Sequence, residues 1–82
     1  LKSVDSRIDL RGMDSEEACY RTDKYLDEAY LGNLGEVTIV HGKGTGVLRK
    51  AINDMLKRHP HVKSYRLGVY GEGGDGVIVE LK

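Results

Sequence analysis

The feature that most constrains the fold of this chain is an apolar run that leads directly into a glycine-rich turn. Residues 37–40 form a short β-branched run, which is typical of a strand covered on at least one face. Three glycines alternate with polar residues over positions 41–46, and apolar side chains then recur at helical spacing from Val47. A strand that enters a helix through such a turn predicts an α/β fold.

The start of this helix has the composition of a phosphate-binding site. The N–H groups of a helix N-terminus carry partial positive charge and attract anions, and glycines allow the backbone to approach such a ligand. Lys43 adds a full positive charge, and His41 adds a hydrogen-bond donor or a proton carrier. The residues predicted to bind phosphate are Gly42, Gly44, Thr45, Gly46 and Arg49. The pattern differs from the Walker motif, and tight packing of a strand on a helix is the alternative interpretation.

The composition limits the chain to one small domain without an internal disulfide. Its 82 residues are close to the lower limit for a self-sufficient core, and its single cysteine, Cys19, favours a reducing, cytoplasmic location and a packing role. No apolar run approaches the roughly 20 residues that span a bilayer, so we expect no membrane partner. The chain begins at Leu1 rather than Met, which suggests a piece of a longer protein.

The charges of the chain are unevenly distributed although they sum to zero. Residues 1–40 carry five basic and nine acidic side chains, whereas residues 41–82 carry eight basic and four acidic ones. The zero net charge argues against a basic surface that covers the whole domain. Lys43, Arg49 and Lys50 nevertheless form a local basic cluster after the glycine turn.

Periodicity and capping signals define the first half of the chain. Residues 7–11 alternate between apolar and polar side chains, which predicts a half-buried strand that ends at Gly12. Asp14 is the predicted N-cap of a helix, because Glu17 follows three residues later as in a capping box. Gly32 is the predicted C-terminal stop of that helix.

The second half of the chain predicts one helix and two strands. The helix after the glycine turn is expected to end near Arg58, because Pro60 restricts the backbone of the residue before it. A third strand is predicted over residues 62–70, and a glycine-rich turn follows over residues 71–76. The last strand, residues 77–81, is nearly all apolar, so it is expected inside the sheet rather than at an edge.

The expected fold is a two-layer β-α-β-α-β-β sandwich, with a four-stranded mixed sheet and both helices on one face. Right-handed crossovers make the first three strands parallel, and the final hairpin makes the last strand antiparallel. In open α/β sheets, ligands bind at the carboxyl edge of the strands. Arg11 follows the first strand, His41 and Lys43 follow the second, and a turn with Glu72 and Asp75 follows the third. These polar clusters are therefore predicted to converge at one edge.

Two motifs at this edge resemble those of the small MutS-related (Smr) domain family. Residues 8–12, Ile-Asp-Leu-Arg-Gly, resemble the family's LDLRG motif, with Ile8 in place of leucine. Residues 41–49, His-Gly-Lys-Gly-Thr-Gly-Val-Leu-Arg, resemble its HGKGTGxLR motif. Because the resemblance begins at about Arg7 and continues to Leu81, we expect residues 1–6 to be a tail or linker and residues 7–82 to form an Smr nuclease-like domain.

The resemblance implies a DNA endonuclease that nicks its substrate with weak sequence preference. Family members occur at the C-terminus of a bacterial MutS paralogue, which is implied to be a homodimeric, ATP-binding protein that suppresses homologous recombination. The alternative is a non-catalytic module that binds DNA or ribosomal RNA and acts with the ATPase of the same parent chain in splitting collided ribosomes. The implied partners are therefore DNA and the ribosome, and ATP belongs to the parent protein alone.

Cleavage of a phosphodiester requires charge stabilisation, an activated nucleophile and a protonated leaving oxygen. Arg11 and Lys43 are predicted to supply positive charge, and His41 is predicted to act as acid or base because histidine titrates near neutral pH. Asp9 is expected either to orient Arg11 or to help hold Mg²⁺ or Mn²⁺. The simpler alternative is that Asp9 and Arg11 form a pair on the exposed sheet face.

Other carboxylates that can contribute to a metal site are few. They are Glu72, Asp75 and Glu80. The sequence contains no dense acidic cluster of the two-metal type, so it leaves the metal requirement open. For the glycine-rich turn over residues 71–76, we favour a role in backbone geometry over a role in the chemistry.

Overall fold

Helices and strands alternate along the chain and then give way to a final pair of strands. The computed structural model describes residues 4–42, 46–68 and 76–82. The elements are β1 (Arg7–Asp9), α1 (Ser15–Leu31), β2 (Glu36–Val40), α2 (Val47–Arg58), β3 (Val62–Leu67) and β4 (Gly76–Leu81). Within these described ranges, neither helix is long and apolar enough to cross a membrane.

The four strands form one mixed sheet in the order β1-β2-β4-β3. Strands β1 and β2 are parallel, whereas β4 is antiparallel to both of its neighbours, β2 and β3. Strand β3 therefore runs in the same direction as β1 and β2. The prediction that the last strand lies inside the sheet is confirmed. Val77, Ile78 and Val79 are all buried, as expected of a nearly all-apolar strand with a neighbouring strand on each side.

Both helices pack on the same face of the sheet, which confirms the predicted two-layer architecture. One cluster of buried apolar side chains contains residues from both helices and all four strand regions: Leu10, Ala18, Leu26, Ala29, Val37, Ile39, Ile52, Leu56, Val62, Val77, Val79 and Leu81. Side chains alternate between the two faces of a strand, so Val40 and Ile78 project from the opposite face. Cys19 packs against the core cluster, as predicted.

Strand β1 is shorter than the sequence predicts. It ends at Asp9, and Leu10 adds one more bond by donating its N–H to the carbonyl of Val40 at 2.7 Å. The chain then turns, because the N–H of Met13 bonds the carbonyl of Leu10 at 3.1 Å and Gly12 takes φ +86°. A left-handed conformation of this kind costs glycine little. Arg11 consequently lies in a turn and not in the strand.

The predicted limits of α1 are confirmed. The side chain of Asp14 accepts a hydrogen bond from the N–H of Glu17 at 2.8 Å, as an N-cap should. In a complete capping box, the Glu17 carboxylate would also accept the backbone N–H of Asp14. Here the Glu17 carboxylate instead forms an ion pair with Arg21, at 3.1 Å from its Nε. At the other end, Gly32 donates its N–H to the carbonyl of Glu28.

The segment before β1, expected as part of a tail, contacts the domain over residues 4–6. Val4 packs against the core, and the carbonyl of Ser6 accepts the N–H of Thr38 at 2.8 Å. The hydroxyl of Tyr25 donates to the carbonyl of Asp5. Burial, with a smaller contribution from the charge of Asp5, raises the pKa of Tyr25 to about 12.

The second half of the chain follows the predicted plan. Helix α2 begins at Val47 and ends at Arg58, as expected from the glycine turn and from Pro60. The third strand is confirmed over its described part, and the N–H of Gly68 continues its pairing by donating to the carbonyl of Gly76 at 2.9 Å. The predicted turn with Glu72 and Asp75 lies outside the described residues.

Gly76 provides a test of how tightly β4 packs on β2. A Cβ atom built on Gly76 lies 2.2 Å from the carbonyl oxygen of Ile39 and 3.0 Å from Cα of Val40. We expect Gly76→Ala to lower the free energy of unfolding by about 2 kcal/mol or more, because backbone atoms must move to make room. Urea unfolding followed by circular dichroism measures the change.

Gly35→Ala is the matched control for Gly76→Ala. A Cβ atom on Gly35 meets nothing within 4 Å. Its unfolding free energy should therefore remain within about 0.5 kcal/mol of that of the starting protein. Equal unfolding midpoints for the two variants would contradict the close approach of the two strands.

The N-cap of α1 provides a second test of stability. Asp14→Ala removes the acceptor for the N–H of Glu17 and should lower the free energy of unfolding by about 1 kcal/mol. Asp14→Ser retains a capping oxygen and should recover most of that loss. If the serine variant is as unstable as the alanine variant in urea, the side-chain cap does not stabilise the helix.

Candidate active site

The parallel pairing of β1 and β2 brings the two predicted motifs together at the carboxyl edge, the end of the sheet where Asp9 and Val40 lie. Asp9 is opposite Val40 in the register, so Arg11 and Gly42 follow at equal distances along the two strands. The side chain of Arg11 covers Gly42: a Cβ atom there would lie 3.2 Å from Cγ of Arg11. Gly42 also has φ +81°, and both features favour glycine at this position.

Asp9 holds the guanidinium of Arg11 in a two-pronged contact. Nε and Nη2 of Arg11 donate to the carboxylate at 3.0 and 2.7 Å, and the backbone N–H of Arg11 donates to Oδ1 at 3.0 Å. The side-chain bonds from Arg11, followed by its backbone N–H, lower the pKa of Asp9 from 3.8 to about 2. The carboxylate is therefore charged at neutral pH and fixes the orientation of Arg11.

His41 lies at the same edge but is only 6% exposed. Its Nδ1 is 2.7 Å from the carbonyl oxygen of Gly42. Because a carbonyl only accepts hydrogen bonds, Nδ1 carries a proton and donates it, which leaves a lone pair on Nε2 of the neutral ring. Nε2 is buried, and no group among the described residues forms a hydrogen bond with it. A buried polar atom of this kind is uncommon, which makes Nε2 of His41 the candidate reacting atom at this edge.

The N-terminus of α2 differs from that of α1 in its charges. Helix α1 has Asp14 as its cap and two acidic residues, Glu16 and Glu17, in its first turn. Helix α2 has no acidic residue in its first turn, and Gly46, with φ +86°, has no side chain that can cap it. The positive end of the α2 dipole is therefore not neutralised by such groups. The candidate Arg49 is exposed in the same turn.

The structure brings four of the predicted site residues to this edge, namely Asp9, Arg11, His41 and Gly42. Gly46 and Arg49 lie at the start of α2, the helix that follows the same loop. The remaining candidates, Lys43, Gly44 and Thr45, lie outside the described residues. Asp9 and Arg11 form an exposed pair, as the simpler alternative has it, and Arg11 reaches Asp9 from the turn that follows β1.

The described residues do not assemble a metal site. Over residues 4–42, 46–68 and 76–82, no group of three His, Cys, Asp or Glu side chains is arranged to hold a metal ion. Both oxygens of Asp9 accept hydrogen bonds from Arg11. Glu80 lies opposite Glu36 in the register. Glu36 is four residues from Val40 along β2, so both glutamates are about 13 Å from the carboxyl edge. Glu80 contacts Lys63 and Ser64 instead. Glu72 and Asp75 are not among the described residues.

A second cluster of histidines lies at the opposite end of α2. His59 Nε2 is 3.2 Å from Asp23, and His61 stacks on Tyr30 with ring centroids 3.8 Å apart. Nδ1 of His59 accepts the N–H of His61, so the ring proton is on Nε2, where it points to Asp23. These contacts give both histidines a structural role at the end of α2. They also oppose metal binding through Nε2 of His59, because that nitrogen carries the proton.

Sequence reasoning missed the role of Gly76. It pairs with Val40, directly before His41, and allows β4 to approach the backbone of β2. The available signal was a glycine that opens an apolar central strand, which commonly marks a close backbone approach. Cys19 does not add a nucleophile, because its thiol is half-buried near the carbonyl of Ala51 and burial raises its pKa.

Proteins of known families match the whole of this chain. The family model described as Smr domain matches residues 8–82. A protein from Clostridium beijerinckii named endonuclease MutS2 is 83% identical over 83 residues, and the alignment covers all of this chain and 11% of that protein. The protein of the same name from Clostridium perfringens is 78% identical over 81 residues, covering 99% of this chain and 10% of that protein. The chain thus spans about a tenth of the length of these relatives.

Two solved structures have the same fold. The Smr domain of Thermus thermophilus MutS2 superposes with a TM-score of 0.88 at 43% identity, covering 93% of this chain and 96% of that one. YdaL, a stand-alone small MutS-related protein from Escherichia coli, also gives 0.88, at 21% identity over 94% of this chain and 64% of that one, which is a likeness of fold alone. With the two motifs joined at the carboxyl edge and the family model matched over nearly the full length, the chain belongs to the Smr domain family.

Proposed function

We propose that this chain is a nuclease domain that nicks DNA with weak sequence preference, as part of a longer MutS2-type protein. The observation that supports this most is that the Asp9–Arg11 pair meets the buried Nε2 of His41 at one sheet edge, where no described residue bonds that nitrogen. The printed name of the relatives, endonuclease MutS2, agrees with a nuclease role. Suppression of homologous recombination and a homodimeric, ATP-binding parent belong to the same proposal.

In this proposal Arg11 binds the scissile phosphate. Its guanidinium is exposed at the carboxyl edge, where Asp9 holds it through Nε and Nη2. Asp9 acts as a positioning residue, because a carboxylate that is charged at neutral pH holds the guanidinium plane at a fixed angle. Lys43 is expected to add a second positive charge from the adjoining loop, and the N-terminus of α2 adds its dipole.

His41 is the proposed general base. Its Nε2 lone pair accepts a proton from water while the water oxygen bonds to phosphorus. The bond between phosphorus and the sugar oxygen breaks, and the leaving oxygen takes up a proton from solvent. The hydrogen bond from Nδ1 to the carbonyl of Gly42 keeps the reactive lone pair on Nε2. A dependence of this step on Mg²⁺ or Mn²⁺ stays a prediction.

A second candidate function is a binding module without catalysis. The observation that favours it is the burial of His41, whose Nε2 is not reachable by solvent. In this case the same edge holds phosphates of DNA or ribosomal RNA through Arg11 and the start of α2. The ATPase of the parent protein would then supply the work of splitting collided ribosomes, with the ribosome as the partner.

Nicking of supercoiled plasmid distinguishes the two functions. We expect His41→Ala to lower the nicking rate at least about 100-fold and to retain DNA binding, because general acid–base catalysis contributes about that much. Arg11→Ala and Lys43→Ala should lose both binding and nicking. Reactions with Mg²⁺, with Mn²⁺ and with chelator determine the metal requirement.

His41→Asn is the matched control for the loss of a buried ring. Its amide N–H can still donate to the carbonyl of Gly42, but it has no group that titrates near neutral pH. We expect this variant to fold and bind DNA without cleaving it. Nicking at the original rate by either His41 variant would eliminate the enzyme hypothesis and leave the binding module.

The role of Asp9 predicts an unusual titration. Its folded pKa of about 2 lies below the ordinary 3.8, so the contact with Arg11 stabilises the fold above about pH 4 and is lost as the pH falls to about 2. A carbon-detected NMR titration should show the Asp9 carboxyl midpoint near 2 in the starting protein. In Arg11→Ala the midpoint should move up toward 3.8. An unchanged midpoint would mean that Arg11 does not hold the carboxylate.

A further inference from the structure

Strand β1 lies at one edge of the sheet, and half of its backbone groups face outward. The carbonyl of Ser6 and the N–H of Leu10 both bond to β2. Bonding directions alternate along a strand, so the N–H and C=O groups of Arg7 and Asp9 point away from β2. Among the described residues, no strand lies on that outer side. Such an edge is a template for pairing with another strand.

The free part of this edge is short and carries both signs of charge. At Asp5, the next outward-facing residue, the carbonyl already accepts the hydroxyl of Tyr25, so the edge is closed there. Arg7 and Asp9 remain, and both are exposed. The carboxylate of Asp9 contacts Arg11, but its side chain is still 44% exposed and therefore accessible to a second cation.

A groove borders the same edge on the side of the sheet that carries the helices. Its volume is about 580 Å³, and its lining includes Ile8, Tyr20 and Tyr25. Ile8 is half-buried, and Tyr20 is 62% exposed. Side chains alternate between the faces of a strand, so an added strand places every second residue over this groove. The groove therefore favours a strand with an apolar residue between two polar ones.

The sequence of β1 itself has this pattern, and it is complementary to itself in one antiparallel register. In that register Ile8 lies opposite Ile8 of a second copy, and Arg7 lies opposite Asp9 of that copy. The outward-facing groups of Arg7 and Asp9 then form the hydrogen-bonded pairs, and the two Ile8 side chains approach each other over the groove. Opposite charges across a pair are favourable. Registers centred on Arg7 or on Asp9 would instead bring like charges together.

We infer that β1 pairs antiparallel with β1 of a second copy of this chain, which joins two four-stranded sheets into one of eight. The contact is isologous, with its two-fold axis between the two Ile8 residues. Arg7 of each copy then lies beside Asp9 of the other, so each copy adds a cation to the other's candidate active site. The inference deepens the proposed homodimeric parent by naming a contact between its two Smr domains, and it does not depend on nuclease activity.

Charge reversal at the two paired positions tests this contact. One short pair of strands makes a small interface, so we expect weak association. The full 82-residue chain is followed over a dilution series by analytical ultracentrifugation and by NMR of its backbone amides, whose concentration-dependent shifts should centre on residues 7–9. Arg7→Glu and Asp9→Lys each bring like charges together in the paired strands, and each should raise the dissociation constant about tenfold or more.

An equimolar mixture of the two variants provides the specific readout. In a mixed dimer every substituted residue faces an opposite charge, so the mixture should associate about as tightly as the starting protein does. Lys57→Glu is the matched control, because it makes the same change in net charge at an exposed position of α2. It should leave the dissociation constant unchanged. Circular dichroism verifies that each variant is folded.

Three results would overturn the inference. The starting protein could remain monomeric at every concentration, both charge-reversed variants could associate as tightly as it does, or their mixture could fail to associate. None of these results bears on the proposed nicking activity, which the plasmid assay measures separately. Conversely, a chain that dimerises through β1 but does not nick DNA would retain this contact and lose the proposed function.

Discussion

The parallel pairing of β1 with β2 is the contact on which the site depends. Two hydrogen bonds flank this three-residue strand: Thr38 N–H donates to Ser6, and Leu10 N–H donates to Val40. A shift of one residue in this register would turn every β1 side chain to the other face of the sheet. Asp9 would then enter the core, and Arg11 would no longer cover Gly42. The convergence of two motifs that are about 30 residues apart in the chain thus follows from one short ladder.

The approach of β4 to β2 supports that ladder from the other side. Gly76 brings the backbone of β4 against Ile39 and Val40 immediately before His41. The same central position buries Val77, Ile78 and Val79. The two central strands, β2 and β4, are therefore packed closely together at the point where His41, the candidate base, follows β2. Rigid support of this kind is what a functional group needs when its geometry must be held closely.

The local arrangement of charged groups in this domain is more informative than its net charge. Helix α1 has its own acids at its N-terminus, whereas α2 has none in its first turn. Asp9 is exposed but paired with Arg11, so the carboxyl edge has an anion whose charge is compensated by a guanidinium. At the opposite end of α2, the imidazole of His59 is paired with Asp23. The zero net charge of the chain therefore says little about which surface attracts phosphate.

The sequence by itself determined the type and order of the elements and the ends of both helices. Those features depend on local signals: the Asp14 cap, the stop at Gly32, the break at Pro60 and the periodicity of apolar side chains. The sequence also identified the residues of the two motifs and the interior position of the last strand. These inferences succeeded because each depends on neighbours in the chain.

Only the tertiary structure decided how those residues act. The alternation of residues 7–11 implied that Asp9 and Arg11 share a strand face, but Gly12 bends the chain and the guanidinium returns to Asp9 from a turn. The burial of His41 depends on packing between distant parts of the chain, which no local pattern encodes. The same holds for the place of β4 between β2 and β3, since pairing between distant strands is a property of the whole sheet.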